Sequence, residues 1–265
     1  MHKFGQRLVG SAVVMALGLV ICGCPGVGLT PGTPTDAFTN ADVVRGGALY
    51  DKWWTVAEVA EPTGDHPLWA GRPDVDSNTR TGLDTWRCKE CHGWDYKGVD
   101  GAYATGSHRT GIAGIFGTTM SAQEVFDLLG AGDHGFSAAG LSDADIWDLA
   151  KFVLEGQIDT GDIIDADNAF TGDTTSGQTL YDDGIGGNTA CAQCHGAEGR
   201  DIPFHPEPDE EFVGTLAVDN PWEFQHKVRF GQPGEAMPAA VNVGASLQDI
   251  ADVGAYAQTL PQTSQ

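Results

Sequence analysis

Basic residues are scarce in this 265-residue sequence. It contains 14 Lys and Arg against 37 Asp and Glu, which gives a formal net charge of −23. A general nucleic-acid-binding protein contacts phosphates through clustered Lys and Arg, so this composition excludes that class. The excess of acidic side chains favours solubility, and we expect partners that dock by electrostatic attraction to present basic faces.

Strand patterns and several catalytic signatures are also missing. No segment shows a convincing alternation of apolar and polar residues, so the sequence offers no clear β-strand. It contains no metal-binding triad, no nucleophile paired with a base and no glycine-rich nucleotide-binding loop. Hydrophobic residues make up 41% of the chain, which is enough to form a core. The sequence therefore predicts a folded protein.

The longest apolar run near the N-terminus is short. Residues 8–21 are uncharged and mostly apolar, too few to cross a bilayer comfortably but typical of a signal peptide. The run ends in ICGC, which resembles the lipobox of bacterial lipoproteins, where the final Cys becomes the lipid-bearing first residue. We predict that residues 1–23 are a signal peptide and that Cys24 is the lipid anchor. An ordinary secretory signal is the alternative.

Residues 24–40 are rich in Gly, Pro and Thr and have no apolar period. This composition predicts a flexible tether between the anchor and the folded part. Pro25 stands where an Asp would resemble an inner-membrane retention signal, so outer-membrane sorting is the default expectation. The predicted location is the cell envelope of a bacterium, on the periplasmic or surface side.

The remaining four cysteines form two C-x-x-C-H motifs. The motifs are Cys88-Lys89-Glu90-Cys91-His92 and Cys191-Ala192-Gln193-Cys194-His195. This is the pattern of c-type haem attachment, in which both thiols form thioethers and the His ligates iron. Zinc ribbons and redox dithiols also use C-x-x-C, but neither needs the trailing His. The sequence predicts two c-type haems.

Each motif lies inside a longer repeat. The order G-x-x-L-Y-D, then C-x-x-C-H, then D-I-x-D-[LV]-x-x-[FY] runs once over residues 46–152 and again over residues 177–256. The last element has a helical period in both copies and follows an S-x-x-D start signal, at Ser142 and at Ser246. Further helices are predicted to start at Ser121 and at Asn220. Two units of this size predict two all-helical domains.

This order resembles the class I cytochrome c family, twice over. The resemblance implies a mainly α fold of tandem domains, over residues 41–153 and 175–265, joined by a linker at 154–174. In that family an N-terminal helix crosses a C-terminal helix, and a distal ligand loop precedes the latter. The first domain departs from the pattern through an insertion over residues 52–85, which either packs as extra structure, lines a partner surface or covers the haem edge.

The sixth iron ligand distinguishes an electron carrier from a haem enzyme. Met237, in the sequence GEAMP, lies 42 residues after His195 and resembles the distal Met of class I cytochromes. The same count from His92 reaches His134, which lies between two predicted helices as Met237 does. Met120 precedes the helix start at Ser121 and suits a hydrophobic staple. We predict the pairs His92/His134 and His195/Met237, with Met120 or an open position as alternatives at the first haem.

Two classes of function follow from these ligands. The first is an electron carrier that relays single electrons between redox proteins, alone or assembled with other copies. The second is a haem enzyme, such as a peroxidase-like protein, with an open or displaceable site at the first haem. Three arginines near the motifs either pair with haem propionates or are solvated: Arg87, Arg109 and Arg200. Three further histidines are predicted to be surface or packing residues: His108, His205 and His226.

Overall fold

The regular secondary structure is helical. The computed structural model describes residues 34–205 and 210–263, and over these ranges it contains two isolated β-bridges, Gly98–Ala113 and Ile164–Phe170, but no strand. The predicted mainly α fold is confirmed. The described α-helices are α1 (Pro34–Asn40), α2 (Val43–Val56), α3 (Cys88–His92), α4 (Ala122–Gly130), α5 (Phe136–Ala139), α6 (Asp143–Lys151), α7 (Thr174–Asp183), α8 (Cys191–His195), α9 (Val213–Asp219), α10 (Pro221–Phe230) and α11 (Leu247–Ala257).

Short helical turns connect these helices. The 3₁₀ turns are Trp69–Gly71, Gly82–Trp86, Ala102–Ala104, Thr160–Asp162, Ile185–Gly187 and Ala240–Val243, and a π-turn covers Phe152–Gly156 at the end of α6. Across the part of the chain that the structure describes, none of these helices combines the length and the apolar character needed to cross a bilayer.

The predicted helix starts are confirmed. The N-cap serines of α4, α6 and α11 form reciprocal capping boxes with the third helical residue, which is Glu124, Asp145 or Asp249. In α10 the side chain of Asn220 caps the helix and Pro221 occupies its first turn. These caps satisfy backbone N–H groups that a helix start otherwise leaves unpaired.

Two helix crossings organise the molecule, and both depend on a glycine. Gly46 of α2 lies against α6 so closely that an added Cβ would be 2.0 Å from the carbonyl oxygen of Asp148. Gly177 of α7 lies against α11 in the same way, where a Cβ would be 1.9 Å from the carbonyl oxygen of Asp252. The repeat seen in the sequence therefore recurs as a repeated contact.

The tyrosine of each repeat makes the next matching contact. The Tyr50 hydroxyl donates a hydrogen bond of 2.6 Å to the carbonyl of Gly93, directly after the first motif. The Tyr181 hydroxyl donates one of 2.9 Å to the carbonyl of Gly196, directly after the second. Each N-terminal helix therefore holds the end of its own C-x-x-C-H turn.

Buried side chains form two cores within one compact unit. The first core collects residues between Leu49 and Phe152 together with Phe230, and the second collects residues between Ile163 and Leu260. We call residues 34–157 the first half and residues 158–263 the second half. Phe230 belongs to the second half but packs in the first core, with its ring against Gly47. The halves are therefore directly packed against each other through α10 and α2.

The predicted tether is wrong over its last residues. Residues 34–40 form α1, and Phe38 packs edge-on against Trp147 of α6 with ring centroids 6.3 Å apart. Composition favoured a flexible segment, but burial of one aromatic side chain against the core overrides that local preference. The rest of the tether, the signal peptide and Cys24 lie outside the described residues.

The predicted linker and insertion are both ordered parts of the fold. Ile163, Ile164 and Phe170, within the linker, belong to the second core. The insertion begins where α2 kinks: Lys52 has φ −146° and ψ 74°, and the helix continues to Val56. The second core therefore includes residues before position 175, where the sequence predicted the second domain to begin.

We expect Gly46→Ala and Gly177→Ala to destabilise the protein. Alanine raises helix propensity by about 1 kcal/mol, but the clash with a backbone carbonyl forces the helices apart, and overpacking of this kind costs about 1–3 kcal/mol or more. A net loss of roughly 1–2 kcal/mol should appear in denaturant unfolding. Gly71→Ala is the matched control because Gly71 faces open space. If all three variants were equally stable, the close helix crossings would not depend on Gly46 and Gly177.

Candidate functional site

The first C-x-x-C-H motif is one short helix. α3 runs from Cys88 to His92 and ends at Gly93, whose φ of 76° lies in the left-handed region. Residues three and four apart on a helix share a face. The two thiols and the imidazole are therefore presented together, and all three line one cavity.

The second motif repeats this geometry. α8 runs from Cys191 to His195 and ends at Gly196, with φ 75°. Cys191 packs against the second core, whereas Cys88 packs against the first. The two motifs therefore do not combine into one four-cysteine zinc site. Among the described residues, no three His, Cys, Asp or Glu side chains converge as a metal-ion site of their own.

The protonation of the thiols disfavours a redox dithiol at the first motif. Burial raises the pKa of both Cys88 and Cys91 to about 12. Reactive dithiols need a thiolate, which a lowered pKa supplies. Both cysteines therefore carry protonated thiols at neutral pH when no group is attached to them.

A largely apolar cavity lies over the first motif. Most of its lining side chains are apolar and a few are polar, which is the usual composition of a small-molecule or cofactor site. Apart from α3, its walls come from α2, the insertion, the loop after α3 and the helices α4 to α6. The wall residues are Tyr50, His66, Leu68, Thr85, Trp86, Arg87, Ile112, Ile115, Leu129, His134, Phe136, Leu149 and Val153.

The cavity brings His134 opposite His92. Their rings are nearly parallel, with an interplanar angle of 18° and centroids 6.3 Å apart. A metal–imidazole bond of about 2.0 Å, with each nitrogen roughly 1.1 Å from its ring centre, puts two trans imidazoles about 6.2 Å apart. The distance between the two ring centres is therefore compatible with two imidazoles that bind one metal ion.

The hydrogen bonds of His92 leave one ring nitrogen for a metal. His92 Nδ1 lies 2.8 Å from the carbonyl oxygen of Ala113, so Nδ1 donates and Nε2 carries the free lone pair. The Ala113 segment is fixed by its bridge to Gly98 and by Gly114, where a Cβ would be 2.3 Å from the carbonyl oxygen of Tyr96. The loop after α3 therefore orients His92 before any cofactor arrives.

Both imidazoles are neutral in this environment. Burial lowers the pKa of His92 to about 4. Burial also lowers the pKa of His134, although the charge of Asp133 opposes the decrease. Neutral imidazole is the form that ligates metals. Among the described residues, none lies within hydrogen-bond distance of the buried His134 Nδ1, although the Leu128 backbone also opposes the decrease in the pKa of His134.

Met120, the alternative distal residue, lies elsewhere. It is partly buried against the first core but does not line the cavity that His92 and His134 share. Val125, the residue of α4 with which Met120 would form a hydrophobic staple, is a buried member of the same core. This placement suits the packing role that the sequence suggested for Met120.

The predicted second site is less enclosed. His195 lies edge-on to Phe204 with ring centroids 5.8 Å apart, and burial lowers the pKa of His195. Its Nδ1 is buried and forms no hydrogen bond with any residue that the structure describes. Met237 lies between α10 and α11, partly buried against the second core that Cys191 also contacts. The ligand pair His195/Met237 stays a prediction.

The three arginines near the motifs differ in position. Arg87 lines the cavity, whereas Arg109 pairs with Asp74 and Arg200 with Glu198. Arg87 itself pairs with Asp51 and Asp84, so the pairing of these arginines with haem propionates stays a prediction.

Two buried histidines lie near the cavity but outside the ligand pairs predicted from the sequence, which gave His226 only as a surface or packing residue. His66, from the insertion, is 6% exposed and lies against Trp86. His226 of α10 is completely buried between the halves, bonded to the Tyr96 hydroxyl and the Gly47 carbonyl. No local pattern marks such residues, because their partners are distant in sequence.

Comparison with known proteins identifies part of this arrangement. The sequence model of the Cytochrome c family matches residues 82–157, a range that spans the first motif, His134 and α6. No curated protein and no solved structure matches the chain. Residues 82–157 therefore form a cytochrome c domain, which implies a covalently bound c-type haem with iron and supports haem-based electron transfer.

We expect His134→Ala to convert one haem from low-spin to high-spin, because loss of the imidazole leaves the sixth position open or held by water. Low-temperature electron paramagnetic resonance on the oxidised protein measures this change. Met120→Leu is the matched control and should leave every low-spin signal in place. The reverse result, with Met120→Leu giving the high-spin signal, would establish Met120 as the ligand.

Proposed function

We propose that this protein is a dihaem c-type cytochrome that relays single electrons between redox partners. The observation that carries the proposal is the pairing of His92 and His134 across the cavity of the cytochrome c domain, at a spacing that suits one metal ion. A c-type haem held there supplies an iron that cycles between the ferric and ferrous states. Two imidazoles on that iron leave no position for a substrate, which favours a carrier over an enzyme.

The chain's own residues would hold the first haem on all sides. Cys88 and Cys91 supply the thiols, and Ala113 orients His92 through its carbonyl. Apolar side chains exclude water from the rest of the cavity. Arg87 at the rim can neutralise a propionate. Since the ligands are already placed by packing, little rearrangement is needed when the iron changes charge.

The proposal of a second haem depends on the repeat that the two halves share. The glycine crossing, the tyrosine hydrogen bond and the capped last helix recur in the second half around Cys191, Cys194 and His195. We propose that a second haem binds there, with Met237 as its distal ligand. Met and His together raise a haem potential relative to two histidines, so the first haem is the low-potential centre.

We propose that the protein works at a bacterial cell envelope, anchored by a lipid on Cys24, with outer-membrane sorting as the default. The support is the signal-like run before the ICGC sequence at residues 21–24. The formal net charge of the chain, −23, favours redox partners with basic docking faces. Assembly with further copies of the chain is a variant of the same role.

A potentiometric titration tests this function. We expect two reversible one-electron steps, the lower belonging to the haem whose signal His134→Ala alters and the higher to the other haem. Optical and paramagnetic spectra recorded at each potential assign the steps. The opposite order would refute the ligand assignment, and a high-spin haem that binds peroxide in the unmutated protein would favour the enzyme.

A further inference from the structure

A carboxylate is buried where the two halves meet. Asp51, on α2, has a side chain that is 1% exposed and forms ion pairs with both Arg87 and Lys227. Arg87 Nε also donates a hydrogen bond of 3.1 Å to the Asp51 carbonyl. Lys227 lies on α10 of the second half, 176 positions from its partner. The junction therefore contains a trio of two cations and one anion.

The trio reaches from the second half to the first cavity. Arg87 directly precedes Cys88, and both line the cavity with His92. The Lys227 and Arg87 cations also lie 5.2 and 5.8 Å from the centre of the Trp94 ring, two residues after His92. Two ion pairs, Lys227–Asp51 and Asp51–Arg87, therefore connect Lys227 to the wall of the proposed haem site.

The charges in the trio are strongly coupled. Burial alone would raise the pKa of Asp51, but Lys227 and Arg87 outweigh it and hold this pKa well below its usual range. Arg87 also pairs with Asp84, and Lys227 lies 4.0 Å from Glu223, and the side chains of these two acids are 49% and 23% exposed. Solvent screens buried charges less than exposed ones. The charge on each buried member of the trio therefore acts on a redox centre in the cavity.

We propose that Lys227 and Asp51 set the reduction potential of the first haem, so that the second half tunes the first. The inference rests on the proposed haem between His92 and His134. A positive charge close to the iron disfavours the ferric form and raises the potential. Lys227 has this effect, whereas Asp51 has the opposite one and also holds Arg87 at the cavity wall.

The test compares three variants in a potentiometric titration of the haem-loaded protein. Lys227→Met should lower the potential of the first haem, and Asp51→Asn should raise it. The double variant, with Lys227→Met in the Asp51→Asn background, should return close to the unmutated value. Two unit charges on the order of 10 Å apart, at an effective dielectric constant of about 20, change an equilibrium constant roughly tenfold. We therefore expect each single variant to change the ferrous-to-ferric ratio of the first haem about tenfold at a fixed applied potential.

Lys151→Met is the matched control. It removes the same charge from a pair with Glu155, whose side chain is 51% exposed, and should shift neither potential by a comparable amount. The second haem should also keep its potential in all variants. If Lys227→Met alone does not fold, because Asp51 loses a buried partner, the double variant compared with Asp51→Asn gives the same effect of Lys227.

Two outcomes would overturn the inference. Variants that lower the unfolding free energy but leave the first potential unchanged would make the trio a structural link between the halves only. Equal shifts of both haems would indicate a general change in the protein. If the proposed function were wrong, the unmutated protein itself would lack the two reversible one-electron steps or the low-spin haem at the first site.

Discussion

The close crossing of α2 and α6 is the contact on which the first site depends. Because Gly46 has no Cβ, the two helices approach until the glycine touches the carbonyl of Asp148. That approach places Tyr50 one turn further along α2, where its hydroxyl holds the carbonyl of Gly93 at the end of the first motif. His92 is thereby fixed at one wall of the cavity. The same sequence of contacts recurs around Gly177.

Buried charge forms the second constraint. A core that encloses a redox group gains from excluding water, yet each buried charge must then be paired. Asp51 meets this requirement with one cation from each half, and Arg229 donates to the carbonyl of Gly156 at 2.7 Å. The halves are therefore joined by polar contacts under the first cavity as well as by Phe230, which ties their packing to the chemistry of the site.

Local patterns in the sequence predicted local structure well. Capping residues, the C-x-x-C-H turns and the mainly α fold depend on neighbours within a few positions, and the equal spacing from His92 to His134 and from His195 to Met237 pointed to the residue that faces His92 in the structure. Contacts across long separations could not be predicted. Phe38 packs on Trp147, and residues 34–40 form a helix where the sequence predicted a tether. No residue near Lys227 in the sequence indicates that Lys227 pairs with Asp51.

The central claim is that one chain carries two covalently bound haems. The intact mass of the protein purified from the cells that produce it tests this most directly, because thioether bonds survive denaturation. The account predicts a chain starting at Cys24 with one lipid modification and two haems, mapped by digestion to the peptides that contain residues 88–91 and 191–194. A chain with a single haem, on the first peptide only, would contradict the account.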